Sequence, residues 1–348
     1  MQLEKVNFGE SSTGRPDRCL TILIPTYRRP RQLELALSSI FDNHSESDLS
    51  KIQVIVGEDG SGPPWEEEYD LLWQKMGSKC MVFRNVHNVG MAENLLSLAR
   101  HSQTMYSMIL TDDDSLIAGA LPELLALVER AGARVPGTIV LPRLHVDEDG
   151  RPRGRSATVF RSGRVRPSGT NALRLTPRAH ILTGLVLRTD TIVNSCWMWA
   201  LDNAYFPMAI QYYAVRDSGA ILSNKRVVAH TVDNETHWHR WGSTRNEQSQ
   251  RLYRDRSLIL ETLTNEALER AESRSEKIRI LLIRKGLDIY WLTAVYLNDS
   301  NFDYEIYRSR EAQCGSAVSP LSRGMFVAAT STGWMLQRCA RFARRVSS

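Results

Sequence analysis

The sequence predicts an α/β fold built on a mostly parallel central sheet, followed by a helical C-terminal region. Two observations carry this expectation. From Cys19 to about Leu141, short apolar runs rich in β-formers alternate with segments of helical spacing, the pattern of parallel strands joined by crossover helices. Beyond Asn246 the spacing becomes helical, with breaks near 298–302 and 315–320. A chain of 348 residues that is 42% hydrophobic and 24% charged has ordinary globular composition, with enough apolar material for one large domain and an appendage. The expected organisation is an extension over 1–18, a domain over 19–240 and a helical region over 241–348.

Taken in order, the strand candidates are CLTILI, IQVIVG, CMVFRN, MYSMIL and TIVLP. Between the first two, Leu33, Leu37, Ile40 and Phe41 fall at i, i+4, i+7 and i+8, so one helical face can pack on the sheet. Leu121, Leu124, Leu125 and Val128 repeat that pattern after the fourth run. Residues 143–178, rich in Arg, Gly, Pro and Ser, read as an excursion over the surface. The segment 180–230 holds the apolar run ILTGLVL, the aromatic stretch CWMWALDNAYFPMAIQYY and a last strand candidate, RVVAH. Trp197, Trp199, Tyr205 and Tyr212 in that stretch offer stacking faces to a sugar, although aromatics at helical spacing more often belong to the core.

A net charge of +5 is compatible with nucleic acid, anionic lipid or a phosphorylated sugar as partner, and does not choose among them. The five cysteines are scattered without C-x-x-C pairing, which argues against a disulfide framework or a zinc cluster. The first residues are polar, and no uncharged stretch approaches the roughly 18–20 residues of a membrane span. The expectation is a soluble or peripherally attached protein.

In open α/β sheets ligands sit beyond the carboxyl ends of the strands, so the loops PTYRRP, GEDGSG, RNVHNVG and TDDDS are where chemistry belongs. Asp112, Asp113 and Asp114 end an apolar strand, and three adjacent carboxylates repel one another unless a cation or hydrogen bonds compensate them. A divalent metal is the simplest compensation; an acidic turn capping a helix that starts near Gly119 is the alternative. Spacing argues against two other metal-carboxylate families: Leu116 stands where a D-x-D-x-T/V motif needs Thr or Val, and Leu116 and Ile117 where D-D-x-x-D needs Asp. Glu58 and Asp59 offer acceptors to a base or ribose, and Asn88, Gly90 and Asn94 form either a turn or a loop whose amides face a phosphate.

Together, ILIPTYRRP, VIVGEDGS, NVGMAEN and LTDDDS resemble, in order, the N-terminal half of the family 2 glycosyltransferases of GT-A fold, over about residues 19–125. Arg28 stands where that family usually has Asn, and Glu58 where it has Asp. The resemblance implies a nucleotide-binding half over 19–125 and an acceptor-side half over 126–240. It implies that Pro25, Thr26 and Tyr27 line the nucleotide pocket with Arg29 nearby, that Glu58 and Asp59 meet the base, and that Asn88, Gly90 and Asn94 complete the site. Asp112 would face the ribose, Asp114 the metal (Mn2+ or Mg2+), and Asp113 would assist either. The donor would be a nucleoside diphosphate sugar, and the outcome inverting.

Inverting transfer needs a base near the acceptor hydroxyl. Asp202 is the candidate and Asp217 the fallback, the alternative for Asp202 being a helix cap. His230, at the end of RVVAH, is a candidate further metal ligand, with His237 and His239 as alternatives. Arg151, Arg153, Arg155, Arg161, Arg164 and Arg166 suit phosphate oxygens or a solvated basic loop. The C-terminal stretch with Arg338, Arg341, Arg344 and Arg345 has the composition of an anchor at an anionic membrane surface. These features point to a glycan or lipid-linked saccharide acceptor, and to a cytoplasmic enzyme peripheral to the inner membrane face. The chain looks most like bacterial O-antigen and capsule enzymes, abequosyltransferase-like members included. A nucleic-acid-binding protein is the rival from another class, but it leaves the acidic triplet unexplained, so no nucleic-acid partner is expected. A metal-dependent nucleotidyltransferase is the second rival; it commonly carries Gly in the loop after the first strand, and PTYRRP has none.

Overall fold

The computed structural model describes residues 3–6, 18–132, 135–147, 149–152, 162–179, 181–231 and 245–298. The chain divides into two compact units, 1–270 and 271–348. The first unit opens with β1 (Leu3–Val6), β2 (Leu20–Thr26), α1 (Pro30–Phe41), the one-turn α2 (Glu46–Leu49) and β3 (Ile52–Glu58). It continues with α3 (Trp65–Met76), β4 (Met81–Asn85), α4 (Met91–Arg100), β5 (Tyr106–Ile109), β6 (Ser115–Leu116) and α5 (Leu121–Gly132). Then follow β7 (Thr138–Val140), β8 (Arg143–Val146), β9 (Gly163–Val165), α6 (Gly169–Leu175), β10 (Leu185–Arg188), α7 (Thr189–Val193) and α8 (Phe206–Ser218). It ends with β11 (Ala220–Leu222), β12 (Val228–Thr231) and α9 (Arg245–Arg270), and α10 (Arg274–Asn298) belongs to the second unit.

The large sheet has the order β1-β4-β3-β2-β5-β10-β7-β11-β9. β2, β3, β4 and β5 pair in parallel, and β7 and β11 run the same way. β1, β10 and β9 run against them. All of β2 and β3 is buried, as continuous apolar runs must be when helices cover both faces of a sheet. Leu20, Ile22 and Ile24 share a core with Leu33, Leu37 and Ile40 of α1, Tyr69 and Trp73 of α3, and Leu121, Leu124 and Leu125 of α5. The opposite face receives α4, which packs on β2 and β3. The chain therefore winds outward from β2 to β3 and β4, then returns through α4 to β5 on the other side of β2. The carboxyl ends of β2 and β5 form the topological switch point, the place where open α/β sheets commonly take ligands.

A small second sheet, β6-β12-β8, stands after the acidic triplet. It corrects the reading of 143–178 as a surface excursion: β8 pairs in parallel with β12, and Arg143 at its start is buried. The Arg143 guanidinium donates to the carbonyls of Thr183 (2.5 Å), Arg178 (3.1 Å) and Ile181 (2.8 Å), a burial cost offset by three acceptors. Burial lowers its pKa to about 10, still cationic at neutral pH. β9 and α6 occupy the rest of the described part of that segment. Within 1–18, β1 pairs antiparallel with β4 at the sheet edge. Arg153, Arg155, Arg161, His237, His239 and the basic C-terminal arginines lie outside the described residues.

Candidate functional site

β2 delivers Thr26 to the switch point, and the loop after β5 delivers Asp112 beside it. The Thr26 hydroxyl donates to Asp112 Oδ2 at 2.8 Å, so its oxygen must accept from Tyr69 Oη, also 2.8 Å away. Tyr69 in turn accepts from the Arg29 amide at 3.1 Å. The polarity of this relay requires a protonated phenol, and burial keeps it so by pushing the Tyr69 pKa up to about 12. Arg29 Nη1 lies 3.3 Å from both Asp112 Oδ1 and Asp113 Oδ2, so one guanidinium bridges two of the three carboxylates. Pro25 is a buried residue of β2 and Tyr27 is half-buried directly after it.

Asp114 is almost fully buried and is held from three sides. Thr111 Oγ1 donates to it at 2.6 Å, the Thr231 amide at 2.8 Å, and His230 Nδ1 lies 3.1 Å from both its oxygens. Thr183 completes the chain by donating to the Thr111 hydroxyl. β12 thus brings His230, one of the three candidate histidines, to Asp114. In register beside it on β8 stands His145, its ring 5.6 Å from that of His230 and edge-on to it. Burial, then His230 and Arg143, holds the His145 pKa below the ordinary histidine range.

Asp112, Asp114 and His230 are donors of the kinds a divalent ion takes, and in this arrangement both Asp114 oxygens accept hydrogen bonds. His230 Nδ1, at 3.1 Å from both Asp114 oxygens, stands at the distance of an imidazole–carboxylate hydrogen bond. Asp112 adds a second carboxylate from the same loop. Among the described residues no three His, Cys, Asp or Glu side chains enclose one point. A divalent ion at this place would need ligands beyond these side chains, such as phosphate oxygens.

The other predicted residues do different work. Glu58 is buried: its Oε1 accepts the Ser61 amide at 2.6 Å and its Oε2 lies 2.9 Å from Arg84 Nε, its neighbour across the β3–β4 ladder. Asp59, equally buried, accepts from Asn85 Nδ2 (3.0 Å) and from the amides of Val89 (2.9 Å) and Gly90 (3.0 Å). It pins the loop that carries the exposed Asn88. Asn94 is buried in α4, where its amide donates to the Gly57 carbonyl at 2.8 Å. A side chain at Gly57 would meet Asn94 Oδ1 at 2.4 Å, so these positions interlock. Asp202 is exposed in the turn entering α8, and its neighbour Asn203 is buried, donating to the Asp255 carbonyl at 2.7 Å. Asp217 sits at the far end of α8, just before the start of β11, and both its oxygens accept from Arg216. That is the amino-terminal edge of the sheet, which removes the fallback base from the acidic triplet. Trp197 and Tyr212 are core, while Trp199 is exposed. Sequence reasoning missed Tyr69, Arg84, Thr111 and Thr183; in sequence Tyr69 is simply an apolar-face residue one turn before Trp73.

The family model described as Glycosyl transferase family 2 matches residues 21–203, more than half of the chain. No curated protein sequence matches. Among solved structures, S. aureus TarS 1–349 superposes with a TM-score of 0.53 at 12% identity, covering 81% of this chain and 76% of that one. The same protein in complex with UDP-GlcNAc gives 0.54 at 11%, covering 90% and 80%. The mannosyltransferase PcManGT from Pyrobaculum calidifontis, in complex with GDP-Man and Mn2+, gives 0.50 at 14%, covering 93% and 87%. At these identities the likeness concerns the fold.

Proposed function

Because the chain belongs to the family 2 glycosyltransferases, we propose that its switch-point site binds a nucleoside diphosphate sugar with a divalent ion and transfers the sugar, with inversion, to a glycan or lipid-linked hydroxyl. The carrying observation is the convergence of Thr26, Arg29, Asp112, Asp114 and His230 at the carboxyl ends of β2 and β5. The UDP-GlcNAc and GDP-Man named with two structures of the same fold support a nucleotide-sugar donor.

Asp112, Asp114 and His230 would hold the ion, Mn2+ or Mg2+, which supplies Lewis-acid stabilisation of the departing diphosphate when bound. Thr26 and Tyr69 fix the Asp112 carboxylate, and Thr111, Thr231 and Thr183 fix Asp114, so the carboxylates need not reorganise as charge develops. Arg29 neutralises Asp112 and Asp113 and brings N–H donors to the diphosphate side. Asp202, exposed where the chain enters α8, is the proposed base that takes the acceptor proton. Among the described residues no helix is long and apolar enough to cross a membrane. Contact with a membrane surface through the basic C-terminal arginines is the reading their composition supports, and it suits a lipid-linked acceptor of surface-glycan assembly.

The test is a thermal-shift panel of UDP, GDP, CDP and dTDP, each with Mn2+ or EDTA, on wild type and Asp114→Asn. Stabilisation by one diphosphate that needs the metal and is lost in the variant is the expected result. Absence of any shift under every condition overturns the donor-site reading. Release of pyrophosphate in place of a nucleoside diphosphate would mark a nucleotidyltransferase instead.

A further inference from the structure

Between Tyr27 and the Arg29 that bridges Asp112 and Asp113 stands Arg28, whose backbone is left-handed with φ 57°. Few residues other than Gly, Asn and Asp adopt that conformation, and it is found where surrounding structure enforces it. The enforcing contacts are visible. The Arg28 amide donates to Ser61 Oγ at 2.9 Å, the Ser61 amide donates to Glu58 at 2.6 Å, and buried Glu58 is held by Arg84 at 2.9 Å. A buried carboxylate paired with a half-buried arginine thus fixes, through one serine, the backbone of an exposed arginine. Its guanidinium carbon lies 4.8 Å from the Tyr27 ring centroid and 4.7 Å from that of Trp65. Among the described residues it makes no ion pair. Two aromatic rings position the cation and leave its N–H edge for a ligand.

The two acceptors next to it are turned into the fold and bonded there. Glu58 and Asp59 are 2% and 3% exposed, with their oxygens already engaged. The group that this rim presents to a base is therefore a forked donor rather than a carboxylate. A guanidinium fork gives two parallel N–H bonds to two adjacent acceptors. Guanine has such a pair in O6 and N7, and cytosine in O2 and N3. In uracil and thymine the N3–H donor separates the two carbonyls, and adenine has no adjacent pair. Resting on the donor-site reading above, we propose that Arg28 reads the base of the donor and selects guanine or cytosine nucleotides over uracil, thymine and adenine nucleotides.

The experiment is calorimetric titration, in Mn2+, of GDP, CDP, UDP, dTDP, ADP and inorganic pyrophosphate into wild type, Arg28→Asn and Arg28→Lys. Asn accepts a left-handed backbone but gives up the contacts with Tyr27 and Trp65, so Arg28→Asn is expected to fold and to melt only a few degrees below wild type. Wild type is expected to bind GDP or CDP about ten-fold or more tightly than the other three, and which of the two wins identifies the base. Arg28→Asn should lose that margin while pyrophosphate binding stays within about two-fold, and Arg28→Lys, with the charge but no fork, should lose it as well. Unchanged ranking in Arg28→Asn, a fall shared equally by pyrophosphate, or a wild-type preference for UDP, dTDP or ADP would overturn the proposal with the donor site intact. Failure of wild type to bind any nucleotide would overturn both readings.

Discussion

Replacing Asp59 by alanine separates two roles that its position in the GEDGSG loop allows. The carboxylate accepts three hydrogen bonds, from Asn85 Nδ2 and from the amides of Val89 and Gly90, and is itself buried. Asn85 is 2% exposed, so its orphaned donor would bear most of the desolvation penalty, about 2–3 kcal/mol. The Val89 and Gly90 amides are half-buried, water can reach them, and each would lose about 1 kcal/mol. The total is about 4–5 kcal/mol, or a fall in Tm of roughly 8–20 °C for a unit of this size. Asp59→Asn should cost less, because one oxygen still serves Asn85 and Val89 and only the Gly90 donor faces an amide NH2. Urea titration and thermal melting of the three proteins measure both. An Asp59→Ala protein within about 1 kcal/mol of wild type that no longer binds nucleotide would refute the reasoning and make Asp59 a ligand contact, as the family resemblance implies.

Thr26→Val keeps the shape of the side chain but removes the hydroxyl that links Tyr69 to Asp112, and should weaken metal-dependent nucleotide binding by about ten-fold, read by calorimetry. Gly57→Ala would set a Cβ 2.4 Å from Asn94 Oδ1 and 2.8 Å from Leu98 Cδ2, and should destabilise by about 2–3 kcal/mol in chemical denaturation. Arg143→Met should cost about 2–4 kcal/mol in the same assay, because three carbonyls around Thr183 lose their donor.

The parallel half of the sheet was legible because β2, β3 and β4 are apolar runs of five to seven residues and the intervening helices have one apolar face. β6, with two residues, and β9 and β11, with three each, are too short for alternation to register. β8 was hidden because its arginine and histidine read as loop, although Arg143 is buried against carbonyls. The site loops were legible as loops, whereas the hydrogen bond between Asp114 and His230 joins residues 116 positions apart, which the sequence does not pair. What each polar residue does was not legible. A buried Asp that accepts three hydrogen bonds has the same letter as an exposed one, and only the fold distinguishes Asp59 from Asp202. Tyr69 and Thr183 reach the triplet from positions whose sequence context reports packing alone.

The central claim is that a divalent ion and a nucleoside diphosphate assemble together on Asp112, Asp114 and His230. Electron paramagnetic resonance of Mn2+ titrated into the protein, with and without nucleoside diphosphate, tests it most directly. The account predicts a bound-Mn2+ signal strengthened by the diphosphate, whose oxygens would complete the coordination, and lost in both Asp114→Asn and His230→Ala. Bound Mn2+ indifferent to the diphosphate, or unchanged in both variants, would contradict it.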